Sequence, residues 1–457
     1  MENPAFEMHS GSVPTLSRSK EVPKHSQRKP GRSSMRFFLL CLLASIITTT
    51  IGILVLSLIF RDYQEFPKDS GGDEAPGGDP EGKVDPKFRF LYQLRKSKVH
   101  KYPGGEIQWA RFRRNSQEYE NLEFQEFGNF LHSHKSQLTL GTLRIWSRGL
   151  RAPHWHFNAN EHGIVLQGSA WVGIIGPDDS RAVTFNVTRG QVVFFPRNSV
   201  HWVKNVGAGD LLLLLFFSTH EELLTLDVDD AFYSTPEDVA ARALKPEGGV
   251  AFIRTFQKPQ EDQAINLPKN LDQLIHNSSY PQSSDSQVWK FFYDLPASPE
   301  FPFPGGVFQW ARFRKNGTGL TPNQQIYSQS LNQHENTLTL ATLRIFGNNL
   351  GVPHFHFNAN EMGVVVSGCG LVGVITSDEK FEFTVGVGDV VFFPVGSQHF
   401  IQSFCQEDLL LVLAYSTGNE LETLRMNQYF HGTADHILAQ LFSKDQVEFQ
   451  KIPKKSQ

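Results

Sequence analysis

Two stretches about 200 residues apart nearly repeat each other in this chain: GGEIQWARFR from Gly104 returns as GGVFQWARFR from Gly305, and LTLGTLRIW from Leu138 returns as LTLATLRIF from Leu338. A period this long marks duplicated domains, because solenoid units run only about 20 to 50 residues. Each copy must therefore close a core of its own. Within a copy, short runs rich in Val, Ile, Leu and Phe (HGIVLQG, SAWVGIIG, AVTFNVTRG, QVVFFP, DLLLLLFFS) alternate with turns bearing Gly, Asn and Asp. That pattern predicts an all-β fold, sandwich or barrel, made twice. We place the copies at 89–257 and 286–457, joined by a linker over 258–285. Helix is expected only behind the strands, with Thr235 as N-cap, Pro236 at the first helical position and Glu237 and Asp238 in the first turn; Thr433 opens a similar segment, TADHILAQLF.

The run from Phe37 to Phe60 holds 24 residues without a charge, enough at about 1.5 Å per residue to cross a hydrocarbon core of about 30 Å. Arg18, Lys20, Lys24, Arg28, Lys29, Arg32 and Arg36 precede it and an acidic segment follows, so the positive-inside rule puts the N-terminus in the cytoplasm. The expectation is a type II, single-pass anchor: a cytoplasmic tail over 1–36, the membrane helix over 37–60, a Gly-, Pro- and acid-rich flexible stalk over 61–88, and both repeats extracellular or lumenal. A cleaved signal peptide is the alternative, against which stand the length of the apolar run and the lack of a small-x-small cleavage site. Sequons at Asn186, Asn277 and Asn316 all lie beyond the helix, as glycosylation of an exported part requires.

A formal charge of −4 leaves no basic surplus for a polyanion, so nucleic acid is excluded as a partner. Beyond the apolar run only Cys369 and Cys405 remain. They permit one disulfide in an oxidising compartment but no disulfide framework.

The first copy reads Gly149-LRAP-His154-Trp155-His156-FNAN-Glu161-HGIVLQ-Gly168 and later Gly190-QVVFF-Pro196-RNSV-His201-WVK-Asn205; the second has His354-Phe355-His356-FNAN-Glu361 with Gly368, then Gly388-DVVFF-Pro394-VGSQ-His399. Residues two apart on a strand share a face, so His154 and His156 project together, with Glu161 joining them after one irregular residue and His201 arriving from another strand. Three imidazoles and a carboxylate leave two positions open on an octahedral ion, which suits Mn(II) or Fe(II) better than a closed zinc site. A histidine on a strand is commonly structural; eight residues in two matching arrangements argue for two metal sites. His162, the neighbour of Glu161, is expected to face away and to do no chemistry.

These motifs resemble the two cupin motifs, with the histidine pair and four-residue gap to glutamate of germins and the two-domain layout of bicupin oxalate decarboxylases. The resemblance covers most of residues 89–457. Asn198 departs from it where glycine is usual, and Ser403 where asparagine closes the second motif. It implies two tandem cupin barrels (double-stranded β-helix, jelly-roll) with short C-terminal helices, and manganese at both sites.

It also implies that Arg151, three residues before His154, holds a substrate carboxylate; a guanidinium fork matches that group through two parallel hydrogen bonds. A surface arginine in a loop is the alternative. The second copy has Gly351 there instead. In the decarboxylases a flexible lid supplies a glutamate proton donor, and by resemblance Glu222, in Ser218-Thr219-His220-Glu221-Glu222-Leu223, takes that place, although the family's Ser-Glu-Asn-Ser lid pattern is absent. Glu221 and Glu222 read equally as solvated charges opening a helix, and Glu420 and Glu422 in the second copy have no assigned role. The implied activity is oxalate breakdown to formate and carbon dioxide, with dioxygen assisting. The alternatives are an oxalate oxidase, a germin-like superoxide dismutase or another metal-dependent oxygenase, and a non-catalytic metal-binding protein displayed on a membrane. Self-association is left open.

Overall fold

The computed structural model describes residues 84–177, 181–258, 263–266 and 280–453. The tail, the apolar run over 37–60, the stalk up to residue 83 and the sequon at Asn277 lie outside them. Among the described residues no helix is long and apolar enough to cross a membrane.

Each copy folds into a barrel of two antiparallel sheets, four sheets among the described residues. The uninterrupted apolar run Leu211–Phe217 is buried throughout, because it is an inner strand between Thr139–Ile145 and Glu161–Gln167 and has no solvent face to spend on polar residues. The facing sheet runs from Thr225–Asp227 through Leu150–His156, Val200–Asn205 and Ser169–Ile175 to Val183–Thr188. The second barrel repeats this with Thr423–Arg425, Leu350–His356, Gln398–Ser403, Gly370–Ile375 and Lys380–Val385.

The opening strands are exchanged. Leu91–Gln93, before the first barrel, pairs with Asp389–Phe393 of the second, with Leu91 opposite Val391. Phe292–Tyr293, before the second barrel, pairs with Val192–Phe195 of the first. Phe90 and Leu91 consequently lie in the core of the second barrel. His162 does face away from Glu161, towards this junction: it is fully buried, its Nε2 is 3.0 Å from Asn336 Oδ1, and the Tyr327 hydroxyl is 3.4 Å from its Nδ1. Burial, only partly offset by the Asn336 bond, pushes its pKa down to about 4. Residues 264 and 265, within the stretch read as linker, form a short strand against Leu150–Arg151.

Helices differ from the sequence expectation in two ways. Leu122–Ser133 and Pro322–Gln333 stand ahead of the main strands, the first capped by Asn121, whose side chain accepts from Phe124 N, and the second by a Thr321–Gln324 capping box. Thr235 is not an N-cap, because a further helix, Val228–Ser234, ends on it and its hydroxyl donates back to Ala231 O at 2.9 Å. Pro236 is the N-cap of Glu237–Leu244 instead. Thr433 repeats the arrangement, donating to Tyr429 O, with Ala434 capping Asp435–Phe442.

Candidate metal centres

In the first barrel the strand pairing sets His201 directly opposite His154, while Glu161 opens its own strand beside Phe195 and Phe217. Glu161 Oε2 lies 2.9 Å from His156 Nε2 and 3.2 Å from His201 Nε2, and the donor atoms of all four residues lie within 4.8 Å of one another. The other ring nitrogens are occupied: Nδ1 of His154 meets Ala152 O at 2.8 Å, that of His156 meets Thr225 Oγ1 at 2.9 Å and that of His201 meets Ser199 O at 3.0 Å. Here Nε2 of His156 and His201 donates to Glu161. A bound ion would take the place of those Nε2 protons, and the Nδ1 partners would then hold the ring proton and leave the Nε2 lone pair to the metal. Phe195 stacks on His201 with ring centroids 4.2 Å apart, which fixes the ring plane.

The charge states suit a cation. Burial pushes His154 well below the usual imidazole range and lowers His156. Burial would raise Glu161, but hydrogen bonds from His156 and His201 outweigh it and hold the carboxyl down at about 2. Neutral imidazoles around an ionised carboxylate are what a divalent ion requires. The donor set of three nitrogens and one oxygen, with every outward nitrogen anchored, therefore fits the metal implied by the sequence.

The second centre reproduces the first. Glu361 Oε2 is 2.8 Å from His356 Nε2 and 3.1 Å from His399 Nε2, and the Nδ1 atoms of His354, His356 and His399 meet Val352 O, Thr423 Oγ1 and Ser397 O at 2.8, 2.9 and 3.1 Å. Glu361 is held low by the same two hydrogen bonds against burial. His354, lowered to about 3 chiefly by burial, is half-buried in residue terms where His154 is buried. Tyr415 stands where the first barrel has Phe217, its ring against His356 as that of Phe217 is against His156. The departure at Asn198 has a simple cause: its φ is 65°, the left-handed region that Gly396 occupies with φ 80°, and asparagine tolerates it.

The FNAN loops, which the sequence reading passed over, hold both sites together. Asn160 Oδ1 accepts from Arg197 N, and Asn158 grips the segment after the last barrel strand, donating to Glu222 O and accepting from Leu224 N. Asn360 and Asn358 do the same with Val395, Glu420 and Glu422. The recurrence of FNAN in both copies was the available signal.

Arg151 is buried and internal. A bulge between the His201 and Val203 pairings brings it to the face of His154. There its Nη1 bonds Asp227 Oδ1 at 2.8 Å and Gln263 O at 3.1 Å. Asp227 lies opposite His154 on the neighbouring strand; nothing local in the sequence flags it. Glu222 meets the WARFR repeat: its Oε1 accepts from Arg114 N at 3.0 Å and lies 4.0 Å from Arg113 Nη1. A further half-buried group joins Glu221 Oε1 to His132 Nδ1 at 3.7 Å and His220 Nε2 at 3.8 Å.

Two barrels, each with a buried three-histidine, one-glutamate centre of this connectivity, define a duplicated metal-site β-barrel protein. The cupin family profile matches residues 121–248 and 323–445, more than half of the chain, and the chain belongs to that family. A second profile, the CLLAC-motif containing domain, matches residues 31–60. A legumin type B of Vicia faba is 30% identical over 148 residues, 32% of this chain but only 28% of the legumin. An oxalate decarboxylase of Arthroderma benhamiae is 23% identical over 323 residues, 65% of this chain and 70% of that protein. Among solved structures, the oxalate decarboxylase of Bacillus subtilis, in a study of its Mn(II) centres, aligns with a TM-score of 0.62 at 18% identity, covering 80% of this chain and 87% of that one.

Proposed function

We propose that this protein is a manganese-dependent bicupin ectoenzyme that degrades oxalate, splitting it into formate and carbon dioxide. The observation that carries the reading is Arg151: a buried guanidinium on the face of the metal ligands, held through Nη1 by Asp227. Its Nε and Nη2 are then the atoms offered to a carboxylate. The two-barrel relatives named as oxalate decarboxylases support the substrate, and the Mn(II) centres of the Bacillus enzyme support the metal.

His154, His156, Glu161 and His201 would hold the first ion, and His354, His356, Glu361 and His399 the second. Bound manganese supplies Lewis acidity and one-electron redox chemistry. The protein's part is to orient oxalate with Arg151 and to exclude water, which strengthens the contact between guanidinium and carboxylate. In the net reaction the carbon–carbon bond breaks, carbon dioxide leaves, and one proton is added to the remaining carboxylate carbon to give formate. Glu222 is the proposed proton donor. To reach the site it must give up Arg114 N, and its backbone must leave Asn158. Those contacts favour a second reading, oxalate oxidation to carbon dioxide with dioxygen reduced to hydrogen peroxide. Manganese-loaded full-length protein given oxalate, with formate and peroxide measured together, tests both. Formate is expected; absence of turnover at two ions per chain overturns the enzyme reading. Arg151→Lys should keep both ions and lower turnover tenfold or more, because an ammonium cannot make the bidentate contact.

The same proposal places the barrels outside the cytoplasm on a type II anchor at 37–60. Exposed sequon asparagines Asn186 and Asn316 and the Cys369–Cys405 disulfide support it. Protease added to sealed vesicles from the cytoplasmic side should remove the N-terminal tail and spare the barrels. The reverse pattern overturns the topology.

A further inference from the structure

The second barrel looks at first like a site that has lost its substrate arginine, since Gly351 stands where the first has Arg151. The adjoining strand carries the reciprocal change. Arg425 occupies the position of Asp227, and each lies opposite the first histidine of its pair, Asp227 against His154 and Arg425 against His354. Directly opposed residues in an antiparallel pair share a face, so Arg425 leaves its strand on the side of the metal ligands. Its positive charge is felt at His356.

The two guanidiniums are in opposite circumstances. That of Arg151 is buried and neutralised by Asp227. Arg425 is exposed, and among the described residues it has no carboxylate partner. Around it the barrel is open. Gln263 and the strand Ala264–Ile265 cover Leu150–Ala152 in the first barrel, whereas among the described residues no strand covers Leu350–Val352, and Leu350 and Val352 are 38% and 44% exposed. At Gly351 an added Cβ would meet only Ile401 O at 3.4 Å and Ile345 Cδ1 at 3.5 Å, ordinary contacts. The position is not crowded shut; the long side chain that fills the first mouth is simply absent.

We propose that the second barrel is itself a binding site for an oxalate-sized carboxylate, with Arg425 supplying from the neighbouring strand the guanidinium that position 351 lacks. The inference rests on the reading of the protein as a metal-loaded cupin that handles small carboxylates, and it adds a second, more open site with a different clamp. Arg425 anchors one carboxylate while the centre formed by His354, His356, Glu361 and His399 takes the other. An unneutralised guanidinium at an open mouth favours capture from solvent; one locked to an aspartate favours fixed orientation.

Calorimetric titration of manganese-loaded full-length protein with oxalate separates these roles without relying on turnover. Wild type should bind two equivalents per chain. Arg425→Ala, a change at an exposed side chain, should keep two ions by elemental analysis and weaken one of the two equivalents tenfold or more; Arg425→Lys should recover part of that loss. The double change Gly351→Arg with Arg425→Asp copies the first barrel's pair and should restore the second equivalent. Two equivalents of unchanged affinity in Arg425→Ala overturn the assignment. One equivalent in wild type, abolished by Arg151→Ala and untouched by Arg425→Ala, leaves the proposed function standing and excludes the second-barrel site. No binding and no turnover in fully loaded wild type overturns both.

Discussion

The barrels agree atom for atom at the ligands and diverge one layer out. Three imidazoles, a carboxylate, a backbone carbonyl or threonine hydroxyl behind each ring, and the asparagines of FNAN are the same in both. At the turn closing the last ligand strand the means differ. Asn205 bonds Ile145 O, Trp146 O, Gly209 O and Gly207 N. Ser403 makes one 3.4 Å bond to Glu407 O, and the Cys369–Cys405 disulfide ties the same turn, Cα to Cα 5.8 Å. At the mouth, arginine and aspartate in the first barrel become glycine and arginine in the second. Four donors around one ion tolerate little displacement, and the groups orienting them are equally constrained. Stapling a turn or placing a charge can be done by any residue that reaches, so duplication leaves those free to drift apart.

The largest expected effect falls on the mouth charges. Asp227→Ala leaves the buried Arg151 cation without its counter-charge, and breaking such a pair costs about 3–5 kcal/mol. Arg425→Ala removes an exposed side chain and should change stability by no more than about 0.5 kcal/mol. Denaturant unfolding of the metal-loaded protein measures both. Equal losses would show that the second mouth is locked as tightly as the first, by a contact other than an ion pair.

Next in size are the two staples. The disulfide spans 36 residues of sequence, and opening a loop of that order costs about 2–4 kcal/mol. Removing the side chain of Asn205 strands buried carbonyls at about 1–3 kcal/mol. Cys405→Ser should therefore cost at least as much as Asn205→Ala, and a reductant should reproduce the first effect and spare the second. If reduction leaves the unfolding midpoint unmoved, the disulfide is not the counterpart of Asn205.

How much of this was legible in the sequence follows from where each residue's partner lies. His154 and His156 fall within one strand, and Glu161 opens the next one after a four-residue turn instead of continuing the first. His201 recurs at a matching place in the second copy, so the set of ligands was readable from spacing although the change of strand at Glu161 was not. Asp227 and Arg425 meet His154 and His354 across 73 and 71 residues of chain, through a strand register that no local pattern specifies. The exchange of Leu91–Gln93 and Phe292–Tyr293 was hidden for the same reason: an apolar strand shows that it will be buried without showing in which barrel. Thr235 misled because Asp227–Ser234 gives little helical periodicity, so the helix ending on Thr235 went unseen. The helix at Leu122–Ser133, by contrast, was announced by Asn121 and by buried Phe124, Phe127, Gly128 and Leu131, a spacing of three and four residues that was there to be counted.

The smallest effect on stability, and the sharpest on chemistry, belongs to the segment behind the last strand. Glu222 and Glu420 are equivalent, each facing a WARFR arginine, Arg113 at 4.0 Å and Arg314 at 3.5 Å. These are part-exposed pairs, and either change to glutamine should alter stability by no more than about 0.5 kcal/mol. If Glu222 delivers the proton in the first barrel, Glu222→Gln keeps oxalate binding and both ions but loses formate, because the amide preserves shape and has no proton to give. Peroxide measured alongside shows whether the reaction diverts to oxidation or stops. Glu221→Gln controls for the neighbouring charge, which lies instead beside His132 and His220. A product ratio unchanged in Glu222→Gln would make that residue a pin for the segment gripped by Asn158. A loss of formate in Glu420→Gln would move the proton transfer to the second barrel, where Arg425 already offers a carboxylate its clamp.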